Sequence, residues 1–312
     1  MPTLLEFLRK INIRASIAVD EPMSAHTSFR IGGPADLLVA PETLADLGKL
    51  VESARVEGLA LTILGGGANI LVGDRGIRGI VVETRRLAGI EFEELGEGAV
   101  RLRAGAGISF SRLCEAALAQ GVGGLENFYA MPGSLGGAVF MNARCYEVEI
   151  SDRLETATIL DAQGRLRNLP LDRRAWSYKH SPFQAGGEEA GSFILGASFV
   201  LSSADRHSTG AAMRMRRADR EAKGHFRLPS AGSMFKNDRG LGRPTGAILD
   251  ELGFKGKRIG DAMVSPWHAN IFVNAGRASA HDMLALVDLA REEVSRRLGL
   301  SIEAEVLFVG EA

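Results

Sequence analysis

The chain is poor in several features that settle a protein's class early. Only two cysteines, Cys114 and Cys145, occur in 312 residues, which excludes a disulfide scaffold and a cysteine-built zinc site. Excess charge of one sign is absent: 37 Lys+Arg against 38 Asp+Glu leave a net of −1, so no nucleic-acid partner is expected. No apolar run approaches the ~18 residues of a membrane-spanning helix. A secretory pattern is missing as well. Glu6, Arg9 and Lys10 interrupt Leu4, Leu5, Phe7, Leu8 and Ile11, which fit a short amphipathic helix. The expectation is a cytoplasmic protein without membrane insertion. The six histidines lack metal-ligand spacing, so no metal site is expected. P-loop, G-x-G-x-x-G and G-x-S-x-G motifs are all absent, and no repeat of solenoid period occurs.

Glycine, by contrast, is abundant: 38 of 312 residues, about 12% against an ordinary ~7%. With only 10 prolines and no G-X-Y period, the excess points to glycine used at particular places. Length implies two or three domains.

The first half alternates strands and helices. A strand over 36–40 precedes a helix opened by Pro41 and Thr43, with Leu44, Leu47, Leu50, Val51 and Ala54 on one face and Gly58 as its stop. Buried strands are expected at 59–64 and 79–83. Period-two alternation over 90–95 and 99–104 around Gly96-Glu97-Gly98 predicts a hairpin. Ser109 caps a helix ended by Gly121, and strands follow over 154–160, 164–169 and 193–201. Composition shifts near residue 203, where a basic helical stretch begins with Arg214, Arg216, Arg217, Arg220 and Lys223. The last helix starts at Ser279 with Asp282 three residues on, close to a capping box, and ends at Gly299. A strand over 304–309 closes the chain, and period two through Glu303-Ala304-Glu305 puts both glutamates on one face, commonly the solvent face.

Three small-residue turns carry the candidate chemistry: Leu64-Gly65-Gly66-Gly67-Ala68-Asn69, Arg103-Ala104-Gly105-Ala106-Gly107, and Met131-Pro132-Gly133-Ser134-Leu135-Gly136-Gly137 running on to Asn142. Successive main-chain N–H groups can form an anion nest suited to a pyrophosphate, and a segment of small residues can lie flat on a planar ligand. Taken singly, each is more often a plain turn. Their closeness in sequence suggests one long ligand followed by several loops. Ser230-Ala231-Gly232-Ser233-Met234-Phe235-Lys236-Asn237 and Trp176-Ser177-Tyr178-Lys179-His180-Ser181 are further candidates, whose bland readings are a structural serine and a solvated loop. The basic stretch suits a phosphorylated ligand as readily as a solvated helix face.

In joint order these segments resemble the UDP-N-acetylenolpyruvoylglucosamine reductase (MurB) family, in its shorter subtype without the extra substrate loop. The matching stretches are Thr27 to Asp36 (containing Arg30), Gly65 to Val72, Pro132 to Ala143, Ser230 to Asn237, Gly253 to Gly260, Val264 to Asn270, and Glu305-Val306. The resemblance implies an α+β fold. Two flavin-binding subdomains of the vanillyl-alcohol-oxidase type, 1–85 and 86–202, are followed by an α+β substrate domain, 203–303, and a strand, 304–312, returning towards the active site. It implies non-covalent FAD, with NADPH as hydride donor using the same pocket as the sugar nucleotide. Coenzyme contacts would come from Arg30, Gly65, Gly66, Gly67, Ala68, Asn69, Ile70, Gly105, Pro132, Gly133, Ser134, Gly136, Gly137 and Asn142. Tyr178, Lys223, Lys236, Asn237 and Lys255 would hold the UDP-sugar.

Catalytic roles would fall to Ser233 as proton donor, to Glu305 as polarising carboxylate, and to Lys179. The family carries an arginine in a Tyr-Arg-x-Ser context, and Lys179 keeps its charge without the planar fork. His26, Tyr129-Ala130-Met131, Arg144-Cys145, His225, Ala304 and Leu307 also depart from the family pattern. Two rival readings follow: a flavin-binding paralogue without this activity, and an oxidase or dehydrogenase of the same flavin superfamily.

Overall fold

The computed structural model describes residues 4–312. The first three residues of the expected 1–85 subdomain lie outside the described residues. The chain falls into two compact units. One is made of residues up to 18, 37–66 and 79–218, and the other of 19–36, 67–78 and 219–312.

The first unit carries two cores. In the smaller, α1 (Leu4–Ile11) buries Phe7 and Leu8, as its amphipathic spacing predicts, against α2 (Leu44–Val56) with Leu47, Leu50, Val51 and Ala54 inward. Thr43 caps α2 by accepting a hydrogen bond from Asp46 N at 3.1 Å. A four-stranded sheet runs Ala15–Pro22, Pro34–Pro41, Ile77–Glu83, Leu61–Leu64 in that order. Its last two strands pair in parallel, Leu61 opposite Ile80 and Leu64 opposite Glu83.

The larger core backs a six-stranded sheet. The order is Leu166–Pro170, Leu154–Leu160, Phe193–Ser203, Ala99–Gly105, Ile90–Gly96, with Val122–Gly123 paired to the long Phe193–Ser203 strand. The predicted hairpin over 90–104 is present, Phe92 opposite Leu102. Helix α3 (Phe110–Ala119), capped by Ser109, contributes Phe110, Leu113 and Ala117 to the core.

The small-residue stretch after Pro132, expected as a loop that either lies against a planar ligand or packs tightly between sheets, contains a helix, α4 (Leu135–Phe140). Two glycines make it a poor helix by propensity. Ser134 caps it, accepting from Gly137 N at 3.3 Å, and Leu135 and Val139 anchor it in the core. The basic stretch forms α5 (Arg206–Ala222), so Lys223 follows the helix directly.

In the second unit a sheet of order Ser230–Ser233, Ile271–Asn274, Ala262–Val264, Arg258–Ile259 packs with α6 (Thr245–Glu251) and α7 (Ala280–Leu298) around Phe235, Phe254, Phe272, Leu286 and Val294. The Ser279–Asp282 capping box forms in both directions. The Asp74 carboxylate adds a second cap, accepting from Ala280 N at 2.8 Å and His281 N at 3.0 Å. The closing strand is shorter than expected. It spans Leu307–Val309, parallel to Ile70–Val72, because Ala304 is used earlier in a bridge to Phe235. No helix among the described residues is long and apolar enough to cross a membrane.

Candidate active site

Two of the small-residue turns meet in the first unit. Gly65 and Gly66 leave the Leu61–Leu64 strand, and Gly133-Ser134 leads into α4. A Cβ on Gly66 would lie 2.6 Å from Gly133 Cα, so the loops touch main chain to main chain and only glycine fits. Together with Gly107, Ile108, Ser109, Ala88, Arg85 and Arg112 they line a cavity of about 330 Å³. The wall is rich in backbone, and two guanidinium groups face it, one of them 3.2 Å from Glu83. Main-chain N–H groups and arginines are the donor set of a diphosphate site, so these residues fit the pyrophosphate of a dinucleotide. Arg85 and Arg112 have no motif to announce them, and sequence reasoning missed both. Gly105 stands beside this wall, its N–H donating to Gly89 O at 2.9 Å, and Gly136 N donates to Ala106 O at 2.8 Å. Pro132 is exposed.

The tight turn Ser177-Tyr178-Lys179-His180, also in the first unit, closes by reciprocal backbone hydrogen bonds at 3.2 and 3.0 Å. Lys179 takes a left-handed conformation, φ 56°, and its carbonyl accepts from Gln184 Nε2 at 3.1 Å. The Ser181 hydroxyl donates to Phe140 O at 2.6 Å, which ties the turn to the end of α4. Asn142, fully buried, donates to Ser177 O at 2.8 Å and to Glu149 Oε2 at 3.0 Å, and accepts from Ser151 N at 3.1 Å. This segment is therefore a pinned loop with a buried attachment. His180 Nδ1 is buried without a hydrogen-bond partner among the described residues.

In the second unit, Ser233 ends the Ser230–Ser233 strand, opposite Ile271. Beside it runs the extended chain before the last strand. Glu305 N donates to Met234 O at 2.8 Å, Lys236 N donates to Glu303 O at 2.9 Å, and Phe235 bridges Ala304. The serine and glutamate predicted to act together thus sit on directly paired segments. Asn270, fully buried, locks this arrangement by exchanging hydrogen bonds with both the N–H and the carbonyl of Phe235 at 3.0 and 2.8 Å. Asn69 Nδ2 donates to Glu305 O at 3.0 Å and Asn69 O accepts from Leu307 N at 3.0 Å, which brings the end of the Gly67–Ile70 turn to the glutamate.

Gly67 has φ 61°, and a Cβ there would be 2.0 Å from His26 O. Its carbonyl accepts from Ser28 N at 2.9 Å, and the Ser28 hydroxyl is buried without a partner among the described residues, a polar atom left for a ligand. Arg30, φ 54°, is held through its carbonyl by Asn274 Nδ2 at 3.4 Å.

Each predicted substrate lysine has a carboxylate neighbour: Lys223 with Asp219 at 2.7 Å, Lys236 with Glu303 at 2.6 Å, Lys255 with Asp250 at 2.6 Å. Such exposed pairs are worth little. Asn237 spends its side-chain oxygen on Thr245 N at 2.9 Å, which fixes the start of α6. Burial pushes the His268 pKa down, and the charges of Lys223 and Lys255 push it further. His225, with its ring 6.4 Å from that of His268, is lowered to about 4 by burial, then by Arg220, His268 and Lys223. Both shifts favour the neutral imidazole.

Residues 35–170 match the FAD binding domain family, and residues 224–309 match the C-terminal domain of UDP-N-acetylenolpyruvoylglucosamine reductase. The chain is 38% identical over 299 residues to the UDP-N-acetylenolpyruvoylglucosamine reductase of Treponema denticola, with 93% of each chain covered. To the Treponema pallidum enzyme of the same name it is 34% identical over 343 residues, covering 97% of this chain and 96% of the other. The crystal structure of UDP-N-acetylenolpyruvylglucosamine reductase (MurB) from Thermus caldophilus superposes with a TM-score of 0.77 at 28% identity, over 96% of this chain and 100% of that one. With its α+β fold, its FAD binding domain and a match along nearly its whole length, the chain belongs to the UDP-N-acetylenolpyruvoylglucosamine reductase family.

Proposed function

We propose that the protein reduces the enolpyruvyl ether of UDP-N-acetylglucosamine enolpyruvate to UDP-N-acetylmuramate, with NADPH as donor and non-covalent FAD as coenzyme, as a step of peptidoglycan precursor synthesis in the cytoplasm. The observation that carries this reading is the pairing of the Ser233 and Glu305 segments, joined at Glu305 N to Met234 O, in a chain that also builds a diphosphate-type cavity. FAD, when bound, supplies hydride transfer between NADPH and the methylene carbon of the substrate.

The rest falls to side chains. As the methylene becomes a methyl group, the electron pair of the double bond moves to the carbon bearing the carboxylate. The Ser233 hydroxyl delivers a proton to that carbon. A hydroxyl is a weak acid, but the enolate-like centre is a strong base, and fixed geometry does the remainder. Lys179 offers its ammonium to the carboxylate where charge accumulates. Glu305 polarises the substrate from the segment paired with that of Ser233. Lys223, Lys236 and Lys255 meet the diphosphate of the sugar nucleotide, and Gly65, Gly66, Gly133 and Ser134 meet that of FAD.

The test is NADPH oxidation by the FAD-loaded protein. It should depend on the enolpyruvyl substrate and yield a product heavier by the mass of two hydrogens. FAD-loaded protein with no substrate-stimulated oxidation contradicts the proposal and favours the paralogue reading, which Lys179 and Arg144-Cys145 motivate.

A further inference from the structure

Four non-glycine residues of the first unit take left-handed backbone near the Tyr178–Lys179 turn: Asn142 (φ 41°), Tyr146 (φ 49°), Glu147 (φ 67°) and Lys179 (φ 56°). Such conformations persist only where the surroundings over-determine them, and they gather at functional sites. Tyr146 and Glu147 are consecutive. They close a two-residue hairpin in which Cys145 faces Val148 and Arg144 faces Glu149, a turn geometry that normally calls for Asn-Gly. Nothing in the local sequence favours it, so the rest of the unit must hold it.

The hold is visible. The Arg216 guanidinium lies 4.2 Å from the centre of the Tyr146 ring, the Tyr146 hydroxyl donates to Arg216 O at 3.2 Å, and Arg216 Nε donates to Asn127 Oδ1 at 3.0 Å. The hairpin so fixed presents Arg144, whose side chain is only 17% exposed. Its guanidinium sits 5.4 Å from the centre of the Tyr178 ring, within cation–π range. It also pairs with Glu147 and, at 3.8 Å, with Glu149. Glu149 accepts in turn from Asn142, whose amide also donates to Ser177 O. The contacts close on themselves: Arg144, Glu149, Asn142, Ser177, Tyr178 and back to Arg144.

We infer that Arg144 is a positioning residue for the reduction: through Tyr178 on one side and Glu149–Asn142 on the other, it fixes the turn that aims Lys179 at the substrate carboxylate. The inference rests on the function proposed above. A flexible lysine gains most from such a clamp, because its ammonium has no planar fork to orient itself. A loosened turn would misplace the charge at the moment it is needed, and small misplacements are costly in rate.

The test uses FAD-loaded wild type, Arg144→Met and Arg144→Lys, with two anaerobic rates measured separately: bleaching of the bound flavin by NADPH, and return of its colour on adding the enolpyruvyl substrate. Arg144→Met should bleach within about twofold of wild type and recover its colour at least about tenfold more slowly. Arg144→Lys, which keeps the charge facing Glu149, should fall between. Unchanged recovery in Arg144→Met overturns the inference. So does an equal loss in both rates together with lowered melting temperature, the mark of a merely structural role. Should Arg144→Met fail to fold, Arg144→Lys decides by the same split. A wild type that bleaches but never recovers with this substrate defeats the proposed function itself and takes the inference with it.

Discussion

In the first unit the cavity wall is mostly backbone: Gly65, Gly66, Gly107, Gly133 and Ser134 line it, and Arg85 and Arg112 supply the charge. In the second unit the atoms proposed to act are side-chain ones: the Ser233 hydroxyl, the Glu305 carboxylate, and three lysines each paired with a neighbouring carboxylate. The difference follows from what each half must do. A coenzyme that stays bound is served by donors that cannot rotate away, and main-chain N–H groups on tightly packed loops are such donors. A substrate that comes and goes needs groups that can exchange partners cheaply. The two halves should therefore break differently under substitution. Added bulk should damage the first, and altered charge should tune the second.

A large effect is expected where bulk meets backbone. Gly66→Ala places a Cβ 2.6 Å from Gly133 Cα, and one of the two loops must move. Overpacking of this kind costs about 1–3 kcal/mol, so FAD affinity should drop roughly 5- to 150-fold. Coenzyme absorbance retained after gel filtration reads this directly, and a fully yellow Gly66→Ala protein would show that the loops do not hold FAD.

Next comes the charge on the Tyr178 turn. Removing a charged hydrogen-bond donor costs about 1.5–3 kcal/mol, so Lys179→Ala should lower turnover by about an order of magnitude or more, whereas Lys179→Arg should keep or raise it. Equal turnover for wild type and Lys179→Ala would remove Lys179 from the mechanism.

A smaller effect tests the exception to the backbone rule. Arg112→Ala should weaken FAD binding several-fold, on the order of 1 kcal/mol, and the loss should shrink as salt is raised. Titration at low and high ionic strength measures it, and insensitivity to salt would leave the phosphate role to main chain alone.

A further effect concerns stability. His225 is lowered from 6.5 to about 4 by burial and by nearby positive charge. Its neutral form is the one the fold accepts, so its contribution is complete above pH 6.5 and is lost as pH falls towards 4. His225→Phe should flatten the dependence of stability on pH over that window by on the order of 1–2 kcal/mol after allowance for screening. Chemical denaturation at pH 7 and pH 4.5 provides the comparison, and parallel curves would contradict it.

Much of this organisation could be read from the sequence where local chemistry decides local structure. Thr43 before α2, Ser109 before α3 and the Ser279–Asp282 box before α7 cap their helices as read. Helix α4 could not be read in this way. Its six residues include two glycines, and only the Ser134 cap and the apolar anchoring of Leu135 and Val139 make it a helix. The Ser233–Glu305 association is visible only through a resemblance, because seventy-odd residues separate the two and hydrogen bonds across that span leave no periodic trace. Arg85 and Arg112 look like ordinary charged residues, and Arg144 stands out in the sequence only as a departure from the family pattern. What distinguishes them is what the fold brings beside them: a glycine-built cavity for the first two, and the Tyr178 ring for the third.

The division of labour between coenzyme loops and substrate chemistry is tested most directly by separating the two half-reactions in a Ser233→Ala protein. Rapid mixing with NADPH under anaerobic conditions should bleach the flavin at close to the wild-type rate. Subsequent addition of the enolpyruvyl substrate should restore the colour roughly 100-fold or more slowly, the scale of a lost proton donor. Colour returning at the wild-type rate, with the reduced sugar formed, would show that the proton comes from elsewhere and that the Ser233–Glu305 pair is not the centre of the reaction.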